Sequence, residues 1–131
     1  MHDIEHKLFL EPLPVLVARL NYRRRLAKTW ELVVNSYDDT GLSLQKAANV
    51  SCIHKDHLNV LLRQTTTFTF HQLLVRYRIF RAIRMMEAKN YSFLEIALLC
   101  GFTSLTSFER NFRKYLGTTP REFKRNSLFD G

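Results

Sequence analysis

The chain of 131 residues holds only four Gly, three Pro and two Cys. Glycine and proline this sparse exclude a collagen-like or low-complexity polypeptide. Two cysteines, Cys52 and Cys100, make no disulfide framework and no zinc spacing, so a reducing, cytoplasmic setting is expected. No apolar run approaches the roughly 18 residues that a membrane-crossing helix needs. The opening Met1-His2-Asp3-Ile4-Glu5 mixes charges and leads to Pro12 and Pro14, which does not read as a secretory signal. There is no phosphate-cradling glycine loop and no nucleophile-elbow motif, so neither an enzyme nor a bound cofactor is expected. The length fits one domain or two very small ones and is too short for a catalytic domain with a separate regulatory one.

What the chain has is an excess of positive charge, with 20 Lys+Arg against 12 Asp+Glu for a net +8. Residues 1–43 carry six basic and six acidic groups, whereas residues 44–131 carry fourteen and six. The whole excess lies in the C-terminal two-thirds. A basic domain attracts polyanions, either nucleic acid or an anionic membrane surface.

The hydrophobic pattern is helical nearly throughout. Leu26, Trp30, Val33 and Tyr37 recur on one face of a helix over about 24–37, which Asp38-Asp39-Thr40-Gly41 ends. Short helices are expected over 43–49 and 54–64, the second with Leu58, Leu61 and Leu62 inward. The β-branched stretch Thr65–Thr69 reads as a connection. A long helix follows over 71–89, whose broad apolar arc predicts packing against more than one neighbour. Ser92-Phe93-Leu94-Glu95 and Thr119-Pro120-Arg121-Glu122 have the spacing of capping boxes, and Ser104 can cap the helix between them. No segment reads as a strand.

Two stretches repeat. A shift of 49 lays Ser43-Leu44 on Ser92-Phe93, Ala47-Ala48 on Ile96-Ala97 and Cys52-Ile53 on Gly101-Phe102. A shift of 50 lays Leu58 on Phe108, Leu62 on Phe112 and Arg63 on Arg113. Each copy reads short helix, turn, longer helix, the layout in which one helix braces a second that can enter a major groove. Opposite the leucines of the first copy stand Asp56, Asn59, Val60 and Arg63, and in the second copy Thr106, Glu109, Arg110 and Arg113. These types can address base edges: Asn to adenine, Arg to guanine, a carboxylate to cytosine, an aliphatic methyl to thymine. A solvated face with a Glu109–Arg113 surface pair would use the same residues. His54 with His57, and His2 with His6, have ligand-like helical spacing, but no third metal ligand is evident.

Ile96-Ala97-Leu98-Leu99-Cys100-Gly101-Phe102-Thr103-Ser104, then Ser107-Phe108, Phe112-Arg113, Gly117-Thr118-Thr119-Pro120 and Phe123, closely resemble the signature of the AraC/XylS family of bacterial transcription regulators. A weaker upstream half (Leu44–Ala48, Leu58, Arg78, Ala82) extends the likeness over about 24–125. The resemblance implies an all-α unit of about seven helices, with two helix-turn-helix subdomains joined by a long linker helix. The implied division is an N-terminal extension over 1–23, a first subdomain over 24–70, the linker over 71–89 and a second subdomain over 90–131. A linker of roughly 27 Å would hold two recognition helices in successive major grooves, roughly 34 Å apart.

By the same resemblance, base-reading positions fall on Asp56, Asn59 and Val60 in the first copy, and on Leu105, Thr106, Ser107, Glu109 and Arg110 in the second. Expected phosphate contacts are Lys46, Lys55, Arg63, Arg76, Ser104, Arg113, Lys114 and Arg121. Implied partners are promoter DNA, in the nucleoid of the cytoplasm, and RNA polymerase; a monomer or weak dimer is expected. The first copy departs from the family pattern, with Cys52 and Thr67 where glycine is usual and His54 where a small capping residue is usual. The same fold could instead act as a protein-interaction module, a reading that Asp56 and the missing glycine favour. A ligand-sensing domain, common in the family, cannot be built from residues 1–23. Their apolar residues, Leu8 to Leu20, are expected to pack on the domain or on a partner.

Overall fold

A computed structural model describes residues 2–88 and 90–130; Lys89, the expected end of the linker helix, lies outside them. The described residues form nine helices: α1 (His2–Phe9), α2 (Leu13–Asn21), α3 (Arg24–Ser36), α4 (Leu44–Ser51), α5 (Lys55–Thr66), α6 (Phe70–Glu87), α7 (Phe93–Leu99), α8 (Leu105–Leu116) and α9 (Pro120–Asp130). The seven expected helices are α3 to α9. The other two come from the N-terminal extension, where Pro12 and Pro14 fit the opening of α2 instead of breaking it.

Helix starts follow the side chains that can satisfy free amides. Ser43, Ser92 and Ser104 each accept a bond from the amide three residues on, and Thr119 does the same for Glu122. Thr69 and Gln72 form a reciprocal capping box that opens α6. The connection before α6 is therefore shorter than the β-branched run suggested, because α5 continues through Thr66.

The repeat is exact enough to show in the backbone. In the first turn Ile53 N–H donates to Ala48 O at 3.2 Å, and in the second Phe102 N–H donates to Ala97 O at 3.0 Å. These are the same helix-ending bond, closed in each copy by a residue of positive φ: Cys52 at 56° and Gly101 at 92°. The second helices of the two pairs, α5 and α8, end alike as well. Thr67 (φ 72°) donates to Arg63 O at 2.9 Å, and Gly117 (φ 77°) to Arg113 O at 2.8 Å. The first copy thus adopts left-handed turns without glycine, at a cost of about 1–2 kcal/mol each. Thr67 is exposed, so Thr67→Gly removes no buried contact. It should raise stability by about 1 kcal/mol, read as a higher denaturation midpoint at unchanged m-value.

Helix α6 is the axis of the fold. Leu73, Leu74, Val75, Tyr77, Ile79, Phe80, Ala82, Ile83 and Met86 are all buried, because α6 packs against α1, α3, α7 and α8 together. Two arginines two positions apart leave the helix on nearly opposite sides. Arg78 is buried, and its Nε and Nη2 donate to Tyr37 O at 2.7 Å and Asp39 O at 2.8 Å. Arg76 goes the other way. Its Nη1 donates to Leu8 O at 2.8 Å, while its guanidinium lies 4.2 Å from the Phe68 ring centre and 4.4 Å from that of Tyr115. Burial lowers the pKa of both from the ordinary arginine value. Of the four arginines of α6, Arg76, Arg78, Arg81 and Arg84, only Arg81 and Arg84 are exposed.

The N-terminal extension packs on the rest. Leu8, Phe9, Leu16 and Leu20 are fully buried. Helix α1 lies against α6 and α8, and α2 lies against α3 and α5.

Candidate nucleic-acid interface

The second helix pair presents a clear two-sided helix. Phe108, Phe112 and Leu116 are buried, and Phe112 stacks edge-on against Phe108 and Phe123. On the opposite side Thr106, Glu109, Arg110 and Arg113 are all exposed. Among the described residues no ion pair joins Glu109 to Arg113, so the row is not tied up in surface pairs. Of the other two positions singled out for base reading, Leu105 is half-buried against the core and Ser107 is half-buried. Ser107 donates its amide to Ser104 Oγ at 3.0 Å and accepts at its carbonyl from Asn111 Nδ2 at 2.9 Å. These two seat the start of α8. Ser104 keeps its hydroxyl proton, which remains available to an anion.

The start of α9 flanks this row. A crevice lined by Phe93, Leu105, Glu109, Thr119, Pro120 and Arg121 separates the two helices. With Arg113 inside the row, exposed Lys114 on α8 and Arg121 across the crevice from Glu109 add positive charge to it. The Lys114 ammonium lies 5.4 Å from the Tyr115 ring centre.

The first pair differs. Asp56, Val60 and Arg63 are exposed on α5, as are Lys55 at its start and Lys46 on α4. Lys46 is 3.8 Å from Asp39 in an exposed pair. His54 caps α5 through its ring, Nδ1 accepting from Asp56 N at 3.2 Å. Asn59 is half-buried, and its Oδ1 accepts from Phe70 N at 2.9 Å. Bidentate adenine reading requires both ends of an amide. Asn59 has one lone pair of its amide oxygen engaged at the start of α6, which leaves it less free than the exposed Asp56 and Val60.

Arg76 is drawn further into the fold. It was expected at phosphate, but its guanidinium is inserted between Phe68 and Tyr115 and bonded to the Leu8 carbonyl. Its Nε is buried and without a partner among the described residues. The broad apolar arc of the linker predicted more than one neighbour, but nothing in the spacing placed Arg76 between α1 and α8.

A family model described as a helix-turn-helix domain matches residues 47–126. The chain belongs to the AraC family of helix-turn-helix transcription regulators. It is 33% identical over 86 residues to the probable transcription factor PqrA of Proteus vulgaris, covering 66% of this chain and 70% of PqrA. It is 29% identical over 116 residues to the transcriptional regulator GadX of Escherichia coli, covering 88% of this chain but 40% of GadX. In fold it resembles an AraC-type regulator from Chromobacterium violaceum, with a TM-score of 0.71 at 23% identity, over 80% of this chain and 93% of that one. The DNA-binding domain of AdpA, solved with a target DNA, aligns with a TM-score of 0.68 at 24% identity, over 76% of this chain and 91% of that one. Among the described residues no helix of this AraC-family chain is long and apolar enough to cross a membrane, and no three His, Cys, Asp or Glu gather as for a metal.

The two cysteines of this AraC-family chain are unlike. Burial pushes the Cys100 thiol up to about 12, with Arg81 and Arg78 opposing the shift, whereas Cys52 is exposed in its turn. A raised pKa keeps Cys100 a thiol throughout the neutral range. In the folded protein at pH 8, an alkylating reagent should modify one sulfur, at Cys52, and the second only on unfolding. Mass spectrometry of the labelled peptides checks this, and fast labelling of Cys100 would contradict the packing described.

Proposed function

We propose that the chain is a sequence-specific, double-stranded DNA-binding regulator of transcription, with its two helix-turn-helix units in successive major grooves of a promoter. The observation that carries this reading is the row Thr106, Glu109, Arg110 and Arg113, exposed in full opposite a buried aromatic face. In this reading α8 supplies the base contacts: Arg110 to a guanine edge, Glu109 to a cytosine amine, Thr106 to a thymine methyl. Arg113, Lys114, Arg121 and Ser104 hold phosphates around it. The first unit holds phosphate through Lys46, Lys55 and Arg63. It reads less, because Asn59 is engaged at Phe70 and only Val60 and Asp56 remain free on α5. RNA polymerase is the protein partner that promoter binding implies.

Footprinting on genomic fragments tests the geometry. Protection over about two helical turns is the expected result; half that length would leave only the second unit engaged. Arg110→Ala should lower affinity for the selected site by about 1–3 kcal/mol and relax preference at one base pair. Affinity for random duplex should stay the same. Equal losses on both duplexes would make Arg110 a phosphate contact. That Asp56 is exposed near the start of α5 favours a second reading, in which the first unit contacts a protein. A footprint confined to the second unit's half-site would support it.

A further inference from the structure

We infer that α1, locked by Arg76, is a positioning element that fixes the separation of the two recognition helices and so sets which half-site spacing the protein accepts. The inference rests on the two-groove reading above.

The two helix-turn-helix units share little besides α6. On one side of α6, Arg78 and the turn at Gly101 close against Tyr37. The other side would be an open apolar face without the N-terminal extension. There Phe9 packs edge-on to Phe80, with ring centres 6.0 Å apart, and Leu8 and Ile4 are buried beside it. Helix α1 also reaches α8, while α2 reaches α3 and α5. The hairpin is held as a unit by the Leu13 amide, which donates to Glu5 Oε1 at 2.6 Å. Its second helix is tethered to the end of α5 by Arg19, which pairs with Glu11 at 3.0 Å and donates to the Thr65 carbonyl at 3.5 Å. One short segment therefore touches both recognition helices from behind.

Arg76 joins the same parts through one side chain. Phe68 belongs to the connection after α5 and Tyr115 to α8, and the guanidinium lies between them while bonding the α1 carbonyl. A planar cation between two rings resists sliding as well as separation. None of these contacts covers Thr106, Glu109, Arg110 or Arg113, which stay exposed, so the element acts on geometry and leaves the reading surface open. One added base pair moves a half-site by about 3.4 Å and turns it by about 35° about the duplex axis. A hinge stiffened on both sides of α6 cannot follow that displacement; one stiffened on a single side can.

The test uses the full chain, with Phe9→Ala and Arg76→Met as separate variants and circular dichroism to confirm helix content. Arg76→Met keeps an unbranched side chain between the rings and loses the bond to Leu8. Spin labels at Cys52 and at Leu98→Cys, one on each unit, report the separation by pulsed electron resonance without DNA. A narrow distance distribution in the parent that broadens in both variants is expected; unchanged widths overturn the inference. Affinity is then measured for duplexes with the selected half-site spacing and with one added base pair. The added pair should weaken the parent at least tenfold and each variant less than threefold, with affinity for a lone second half-site unchanged. Equal spacing penalties, or variants that lose the lone half-site equally, overturn the positioning role. A parent that binds no duplex defeats the two-groove reading and the spacing role with it, while the label distances still decide whether α1 braces the units.

Discussion

Replacing Gly101 with alanine is expected to cost about 3–5 kcal/mol of stability, combining backbone strain with overpacking. A Cβ built at Gly101 would lie 2.4 Å from the Tyr37 carbonyl oxygen and 2.7 Å from Arg78 Nε, at a φ of +92°. The first neighbour is backbone. The second is the base of a buried guanidinium already bonded to Tyr37 O and Asp39 O, so neither can yield cheaply. Gly117 is the internal control: its φ is +77° but a Cβ there meets nothing within 4 Å. Gly117→Ala should therefore show backbone strain alone, about 1–2 kcal/mol. Denaturant titration of the two variants separates strain from contact. Equal losses would mean that the close approach of the second turn to Tyr37 and Arg78 is not part of the folded protein. Because that approach is one of the few places where the two units meet, Gly101→Ala should also loosen their relative placement.

The same glycine shows what was readable beforehand. Its place in the repeated turn, opposite Cys52, was visible from the 49-residue shift, and the structure gives both residues positive φ. Caps at Ser92, Ser104 and Thr119 were legible from local chemistry acting over three residues, and Ser43 caps its helix in the same way. Thr69 and Gln72 carry the same signal, obscured by the β-branched run before them. What periodicity could not show is which polar groups meet across the fold. Asn59 and Arg76 lie on faces that an isolated helix would expose. The amide of Phe70 claims the first, and Leu8, Phe68 and Tyr115 claim the second. Those partners are 8 to 68 residues away in sequence, and each lies outside the helix of the residue it holds. The apolar residues of the extension signalled burial, but whether they would pack on one unit or span both depends on the shape of α6 and its neighbours.

The salt dependence of DNA affinity should be steep, and its size counts the engaged units. With Arg76 withdrawn, six cations remain free around the two exposed rows: Lys46, Lys55 and Arg63 on the first unit, Arg113, Lys114 and Arg121 on the second. The exposed Lys46–Asp39 pair is too weak to hold its lysine from a phosphate. Each neutralised phosphate releases condensed counterions, so six contacts give a slope of log K against log salt near −5 and an affinity loss of about a thousandfold between 50 and 200 mM salt. If the second unit binds alone, three contacts remain and the slope falls to about −3. Arg76→Met leaves all six cations in place, so it should keep the slope while changing spacing preference; a shallower slope in that variant would return Arg76 to the phosphate backbone. A slope near zero in the parent would remove the electrostatic basis of the proposed function, because the net charge of +8 would then attract something other than a polyanionic duplex.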